Sequence, residues 1–316
     1  MRSSALLLFL AIASYSQSRA AREITFDARL IALQPTPKFR GGYVFFPDPV
    51  YRNTFTIYRP DGHQACVASI QLPGAKMAVA RDMAVDSDGT IVVAATTGAV
   101  RGDPFIGGVV LLNAAGLQQK LIDTALFLPF RVAVAGDHSI WILGAQLDSS
   151  PRHAPSREDY MVVRRYDRDG RELGAYLPRS SFVATALTEP GMADEGLIEA
   201  ARERIGLVVA SGSGREVIQL DLDGKVLGRM RFDDRLMCHF AFTQDANAFA
   251  KCESPGSPLR LLDPLTAMST SVSSPNLFLM GADKEDLAYT DLVVERPFRI
   301  WWYSQPTPVV ASNPAK

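Results

Sequence analysis

Apolar and polar positions along the chain alternate in short runs broken by turn residues, the signature of hairpins. "FTIY", "VVLL", "YMVVRRY" and "EVIQL" each lead into a five-residue turn, and a second strand-like run follows each turn ("ACVASIQL", "LQQKLI", "ELGAYL", "KVLGRMRF"). The turns are "YRPDG", "LNAAG", "YDRDG" and "LDLDG", and their glycines, Gly62, Gly116, Gly170 and Gly224, are spaced 54 residues apart. Asp suits such turns because it bonds its own backbone two residues on, and Gly because it accepts positive φ without a steric penalty. The charges of "YDRDGRELGAYL" (166–177) are therefore assigned to turn chemistry. "LRLLDPLT" (259–266) and "RIWWYSQPT" (299–307) read as degenerate copies, which brings the outer hairpins to six.

A second hairpin type lies between these, clearest in "DMAVDSDGTIVVAAT" (82–96), where a short apolar strand, an Asp-Ser-Asp-Gly turn and a β-branched strand follow in order. "RVAVAGDHSIWILGA" (131–145), "HFAFTQDANAFAKC" (239–252) and "LFLMGADKEDLAYTDL" (277–292) repeat it. Residues 30–46 and 182–210 read as copies with longer turns. One inner and one outer hairpin make a four-stranded unit, repeated six times.

The chain thus resembles the six-bladed β-propellers and is most similar to the NHL-type repeat, whose blades carry an Asp-x-x-Gly turn before an aliphatic strand. The resemblance is best at 82–122, 131–177 and 205–231. It implies an all-β fold of six four-stranded antiparallel blades around a channel, each blade burying its faces on its neighbours. It implies an architecture and no particular activity. Two candidates stand for the strand that closes the ring, one near Ile24 and one at "PVVAS" (308–312).

Composition fits one large core: 316 residues, 47% apolar and 21% charged. Arg2, the apolar run Ala5 to Ala13 and the small residues of Ser18-Arg19-Ala20 have the order of a signal peptide. This divides the chain into a leader, 1–20, and a single propeller domain, 21–316. Export to the periplasm or the extracellular space is the expected consequence. Without the leader 31 basic residues face 34 acidic ones, so no basic field for nucleic acid is expected. No later stretch is apolar for long enough to span a bilayer as a helix. Of the three cysteines, Cys238 and Cys252 flank a hairpin turn at 245–247 and can be bridged, which leaves Cys66 single.

The chemical motifs are sparse. Counting back from Gly170 or Gly224 to the first position of a calcium loop gives Arg165 or Gln219, neither of them a ligand. "VVASGSGREVIQL" (208–220) has Val217 where a dinucleotide fingerprint needs Gly, and reads as a flexible loop. The four histidines form no metal motif, and no Gly-x-Ser-x-Gly elbow occurs. Position is the remaining guide, because function in propellers sits in loops around the channel. Aligned as starts of innermost strands, Asp82, Arg131, His239 and Asn276 should ring one mouth, with Arg81 adjoining. An anionic ligand would suit Arg131 and a protonated His239. Two long excursions, 145–159 and 178–206, are candidate binding loops; the second contains "MADEGLIEAARER", read as a short helix with acidic residues early and Arg late. The expectation is a monomeric exported propeller that binds a protein partner or small ligand at its channel mouth without catalysis, its cofactor unknown. The rival is a metal-dependent enzyme of the lactonase or lyase type.

Overall fold

The computed structural model describes residues 20–29, 37–48, 50–97, 106–148, 159–183, 196–233, 238–253, 257–291 and 297–305. These form six four-stranded antiparallel sheets. Blade 1 holds β2 (Lys38–Arg40), β3 (Tyr43–Pro47), β4 (Thr54–Tyr58) and β5 (Gln64–Ser69). Blade 2 holds β6 (Ala78–Val85), β7 (Ile91–Thr97), β8 (Gly107–Leu112) and β9 (Gln118–Asp123); blade 3 holds β10 (Phe127–Val134), β11 (Ile140–Gln146), β12 (Met161–Tyr166) and β13 (Glu172–Pro178). Blade 4 holds β14 (Leu197–Ala200), β15 (Arg204–Ser211), β16 (Gly214–Asp221) and β17 (Val226–Phe232); blade 5 holds β18 (Cys238–Phe242), β19 (Ala248–Cys252), β20 (Leu259–Asp263) and β21 (Met268–Val272). Blade 6 combines β22 (Phe278–Asp283), β23 (Asp286–Thr290) and β24 (Pro297–Ser304) with β1 (Arg22–Arg29). Each first strand packs against the next, and β22 against β2, so the ring is closed.

Blade 6 corrects the count of outer hairpins. Its third strand, β24, pairs with β1 in the register Ile24↔Ile300, so five outer hairpins and one pairing of distant segments make six blades. Of the two closing candidates the strand near Ile24 takes this place, while 308–312 lie outside the described residues. The seal is apolar: Phe26, Phe298, Ile300 and Trp302 are buried with Phe39 and Val44 of blade 1.

Burial is deepest in the middle strands of a blade, less in the channel-lining strand and lost at the rim. Every residue of β7 and β8 is buried, whereas four of the five in the outermost strand β21 are exposed. The glycines of the 54-residue repeat have a double reason. Gly62, Gly116, Gly170 and Gly224 have φ of +88°, +81°, +89° and +83°, and each lies against the outermost strand of the preceding blade. A Cβ would meet Ile24 and Thr25 at Gly62, Cys66 and Val67 at Gly116, Ile122 at Gly170 and Tyr176 at Gly224.

Three local expectations change. The turn of the first inner hairpin is short: Gly41 and Gly42 alone join β2 to β3, both at positive φ, as a primed two-residue turn requires. The helix read into "MADEGLIEAARER" is replaced over Leu197–Ala200 by β14, paired with β15. Helical propensity yields there because Leu197 and Ile198 are needed in the core, and propensity is the weaker force. The Gly-x-Gly of 208–220 is no flexible loop but a tight hairpin in which Ser211 pairs with Gly214.

Candidate functional site

The innermost strands β6 and β10 each carry a β-bulge, between Ala80 and Asp82 and between Pro129 and Arg131. A bulge bends the strand and redirects the side chains that follow it. It also breaks the alternation, which is why the sequence pattern places the strand starts at Asp82 and Arg131. The strands begin four residues earlier, at Ala78 and Phe127, and both charged residues stand in mid-strand. His239 occupies the corresponding place in β18, fourth from its end. Asn276 precedes β22, so it has no equivalent position: the bulge of β22 lies between Leu279 and Gly281 and gives that place to Gly281.

At the waist of the channel the Asp82 side chain is 0% exposed. Arg40 Nη2 reaches its two oxygens at 3.2 and 3.3 Å, Lys38 Nζ stands 3.9 Å away, and the Val132 N–H donates to Oδ2 at 3.1 Å. Burial alone would push this carboxyl up; Arg40, Lys38 and Arg131 together hold it below the ordinary range. Glu199 on β14 has the opposite balance. Burial dominates and pushes it up to about 7, although Arg40 and the Phe242 N–H favour its charged form. Arg40 Nη1 donates to the Phe39 carbonyl at 2.8 Å and stops 3.8 Å short of Glu199, so Arg40 belongs to Asp82.

Arg40 divides the channel into two cavities of about 300 Å³ each, and lines both. The front one, where the chain enters the innermost strands, is walled by Lys38, Arg40, Arg131 and His239, with Leu197, Phe240 and Met280 among its apolar surfaces. Arg131 donates from Nε to the Gly196 carbonyl at 2.7 Å and from Nη1 to that of Phe130 at 2.8 Å, which holds its guanidinium across blades 3 and 4. His239 Nε2 lies 2.9 Å from Glu253 Oε1. Arg81 turns away, donating to Thr96 Oγ1 at 2.8 Å beneath the Phe130 ring, while Lys38 Nζ donates to the Arg81 carbonyl.

Asn276 falls in a side pocket of about 200 Å³ that shares His239 with the front cavity. Lys251 lies there too, its pKa lowered by burial, donating to the Ser257 and Pro275 carbonyls and to Ser274 Oγ at 3.2, 2.9 and 2.8 Å. The Cys238–Cys252 disulfide ties β18 to β19 beside both. The structure thus joins Arg131 and His239 in one wall, puts Asp82 beneath it, and leaves Asn276 and the Arg81 side chain apart. Residues 149–158 lie outside the described residues. Sequence reading missed Lys38, Arg40 and Glu199; the alternation of "KFR", with Phe39 buried between two charges, is the signal that points to the first two.

Among the described residues no group of three His, Cys, Asp or Glu side chains converges as a metal site would require. The two channel carboxyls differ from a metal cage, since Asp82 is already committed to Arg40 and Lys38.

No protein-family profile matches the chain, and no curated protein does. Solved structures match in fold. A protein of unknown function from Dyadobacter fermentans is 10% identical, over 91% of this chain and 99% of that one, with a TM-score of 0.51. The β-propeller domain of the trilobed protease from Pyrococcus furiosus is 8% identical over 73% and 69%, with a TM-score of 0.46. The PQQ-bound aldose sugar dehydrogenase from Streptomyces coelicolor is 10% identical over 90% and 97%, with a TM-score of 0.48.

Proposed function

We propose that this propeller is an exported, non-catalytic binding protein that takes a small anionic ligand, a carboxylate or phosphate, in its front cavity. One observation carries the reading: Lys38, Arg40, Arg131 and His239 converge on a cavity to whose wall no Asp or Glu contributes among the described residues. Asp82 beneath it pairs with Arg40 and Lys38, Glu253 reaches His239 from the side pocket at 2.9 Å, and Glu199 lies in the wall of the other cavity. Cationic side chains gathered around one cavity favour an anion, and guanidinium groups suit carboxylate and phosphate oxygens. The apolar surfaces would accept the body of the ligand. Export is supported by the residue order of 1–20 and by the disulfide, which suits an oxidising compartment; an exported protein whose mass retained Met1 would end that part.

The test is thermal denaturation in citrate, in phosphate and in neutral glycerol at matched ionic strength. An anion at 100 times its Kd should stabilise the protein by about 2.7 kcal/mol. The Arg131→Met, His239→Ala double variant should lose at least tenfold in affinity. Equal stabilisation by glycerol, or unchanged anion affinity in a folded double variant, would move the site elsewhere.

A further inference from the structure

The rear cavity is built from the opposite ends of the same strands, and all six blades contribute to it. Its walls include Ala84, Val132 and Ile198, and the Glu199 carboxyl is set among them. Glu199 Oε2 accepts the Phe242 N–H at 2.9 Å. For Oε1 the cation within reach among the described residues is Arg40, at 3.8 Å, and its nitrogens are held by Asp82 and the Phe39 carbonyl. At the rim Asp283 is engaged by Arg22 at 3.2 Å, and Lys284 is exposed. Beside Asp283, which Arg22 engages, the cavity therefore holds one carboxyl, Glu199, with a single hydrogen bond among the described residues, set against aliphatic side chains.

We propose that the rear cavity is a second binding site, for a small organic ammonium ion, with Glu199 as its counter-ion. An ammonium group supplies the charge-assisted donor that Oε1 lacks. The aliphatic walls bury its hydrocarbon part. A divalent metal ion fits worse, because it needs several oxygen ligands and, of the two carboxyls in the wall, Asp283 is engaged by Arg22 while Arg40 stands 3.8 Å from Glu199. The two cavities share Arg40 in their dividing wall, whereas Arg131 and His239 line only the front one.

Proton linkage follows from the groups around Glu199, which are Arg40 on β2, Asp82 on β6 with Arg131 of β10 facing it, and the Phe242 N–H on β18. Burial raises Glu199 to about 7, so below that pH the carboxyl holds a proton that an ammonium ion must displace. Affinity should be highest above pH 7 and fall as pH drops through that value.

The experiment is calorimetric titration of the full protein with benzylammonium chloride and with benzyl alcohol, at pH 8 and pH 6. Benzylammonium should bind, the alcohol should bind at least tenfold more weakly, and the ammonium affinity should fall about tenfold at pH 6. Glu199→Gln keeps an acceptor for the Phe242 N–H, and should cost at least tenfold at pH 8 and abolish the pH dependence. In the wild-type protein the Phe242 amide resonance should move on titration. The Arg131→Met, His239→Ala variant should keep its benzylammonium affinity, so failure of anion binding in front and of ammonium binding behind are separate results. Equal binding of the alcohol, unchanged affinity in Glu199→Gln, or no heat and no amide shift at millimolar benzylammonium would each overturn the proposal.

Discussion

Asp82 and Asp86 are four residues apart, the first inside β6 and the second just beyond its end, yet they join the ring in opposite directions. Asp82, 0% exposed, faces the channel and takes Arg40 and Lys38 from blade 1. Asp86, 3% exposed, faces the seam with blade 3 and takes Arg168 and His138. Arg168 also donates to Asp88 at 2.6 Å. The seam between blades 3 and 4 repeats the device, with Arg165 donating to Asp137 and to the Leu222 carbonyl, each at 2.6 Å. Both clusters stitch blades; the open volume beside one of them separates them. At the seam two carboxylates share one guanidinium and a histidine, with Asp86 buried and Asp88 and His138 half exposed. In the channel three cations meet Asp82 and a Glu199 whose ionisation burial opposes, and a cavity opens on either side. Cationic groups beside open volume mark a binding surface; ion pairs that cross between blades without a cavity mark scaffolding.

The strongest way to break the comparison is to remove Asp82. Asp82→Ala leaves Arg40 and Lys38 without their buried counter-ion, and loss of one partner of a buried pair costs ~3–5 kcal/mol. Urea denaturation should show this as a lower midpoint at an unchanged slope. Because Asp82 also raises Glu199, the variant should let Glu199 titrate lower. A loss below 1 kcal/mol would mean that the waist is not held by this pair.

The next largest effect is a pH dependence. In the folded chain Glu199 titrates near 7 against an ordinary value of 4.5, so between these pH values the native state holds a proton that the unfolded chain has released. Stability therefore falls as pH rises through this window and levels off above it, by about 3 kcal/mol from this group. Asp86 has the opposite sign: burial would raise it, but Arg168 and His138 hold it below its ordinary range. Its contribution is present above the unfolded value and is lost as pH falls through the folded one. Glu199→Gln should flatten the near-neutral slope and leave the acid limb, as guanidinium denaturation across pH 2 to 8 would reveal. A slope that survives in Glu199→Gln would assign it to another group.

The same contrast explains what the sequence made legible. Turns are local chemistry, so the 54-residue spacing of Gly62, Gly116, Gly170 and Gly224 was enough for the blades. The ring closure was not, because β1 and β24 are joined by register across the whole chain and share no motif. In the channel, bulges in β6 and β10 hid where the strands began, although the charges at Asp82, Arg131 and His239 still stood out. Glu199 was obscured by a segment whose local propensity is helical, and the alternation that marks Lys38 and Arg40 spans only three residues and is easily passed over. A site assembled from one or two residues per blade has no sequence neighbourhood of its own.

The smallest effect sharpens the comparison within a single turn. "YDRDGRELGAYL" carries Arg168 and Arg171, three residues apart and alike in charge. Arg168, 33% exposed, crosses to blade 2 and holds Asp86 and Asp88. Arg171, 77% exposed, reaches only its own turn, donating to Asp167 at 3.1 Å. Asp167 needs no side-chain partner to shape the turn, because its Oδ1 already accepts the Asp169 and Arg171 backbone N–H groups at 2.9 Å. Arg168→Ala removes a bond to a buried carboxylate that keeps His138, and should cost about 1 kcal/mol. It should also shift the acid limb toward higher pH, since Asp86 loses the group that holds it most strongly in its charged form. Arg171→Ala should leave both the urea midpoint and the acid limb unchanged within error, as exposed pairs contribute little. If the two variants behave alike, the crossing to blade 2 has no energetic weight, and the turn serves only its own hairpin.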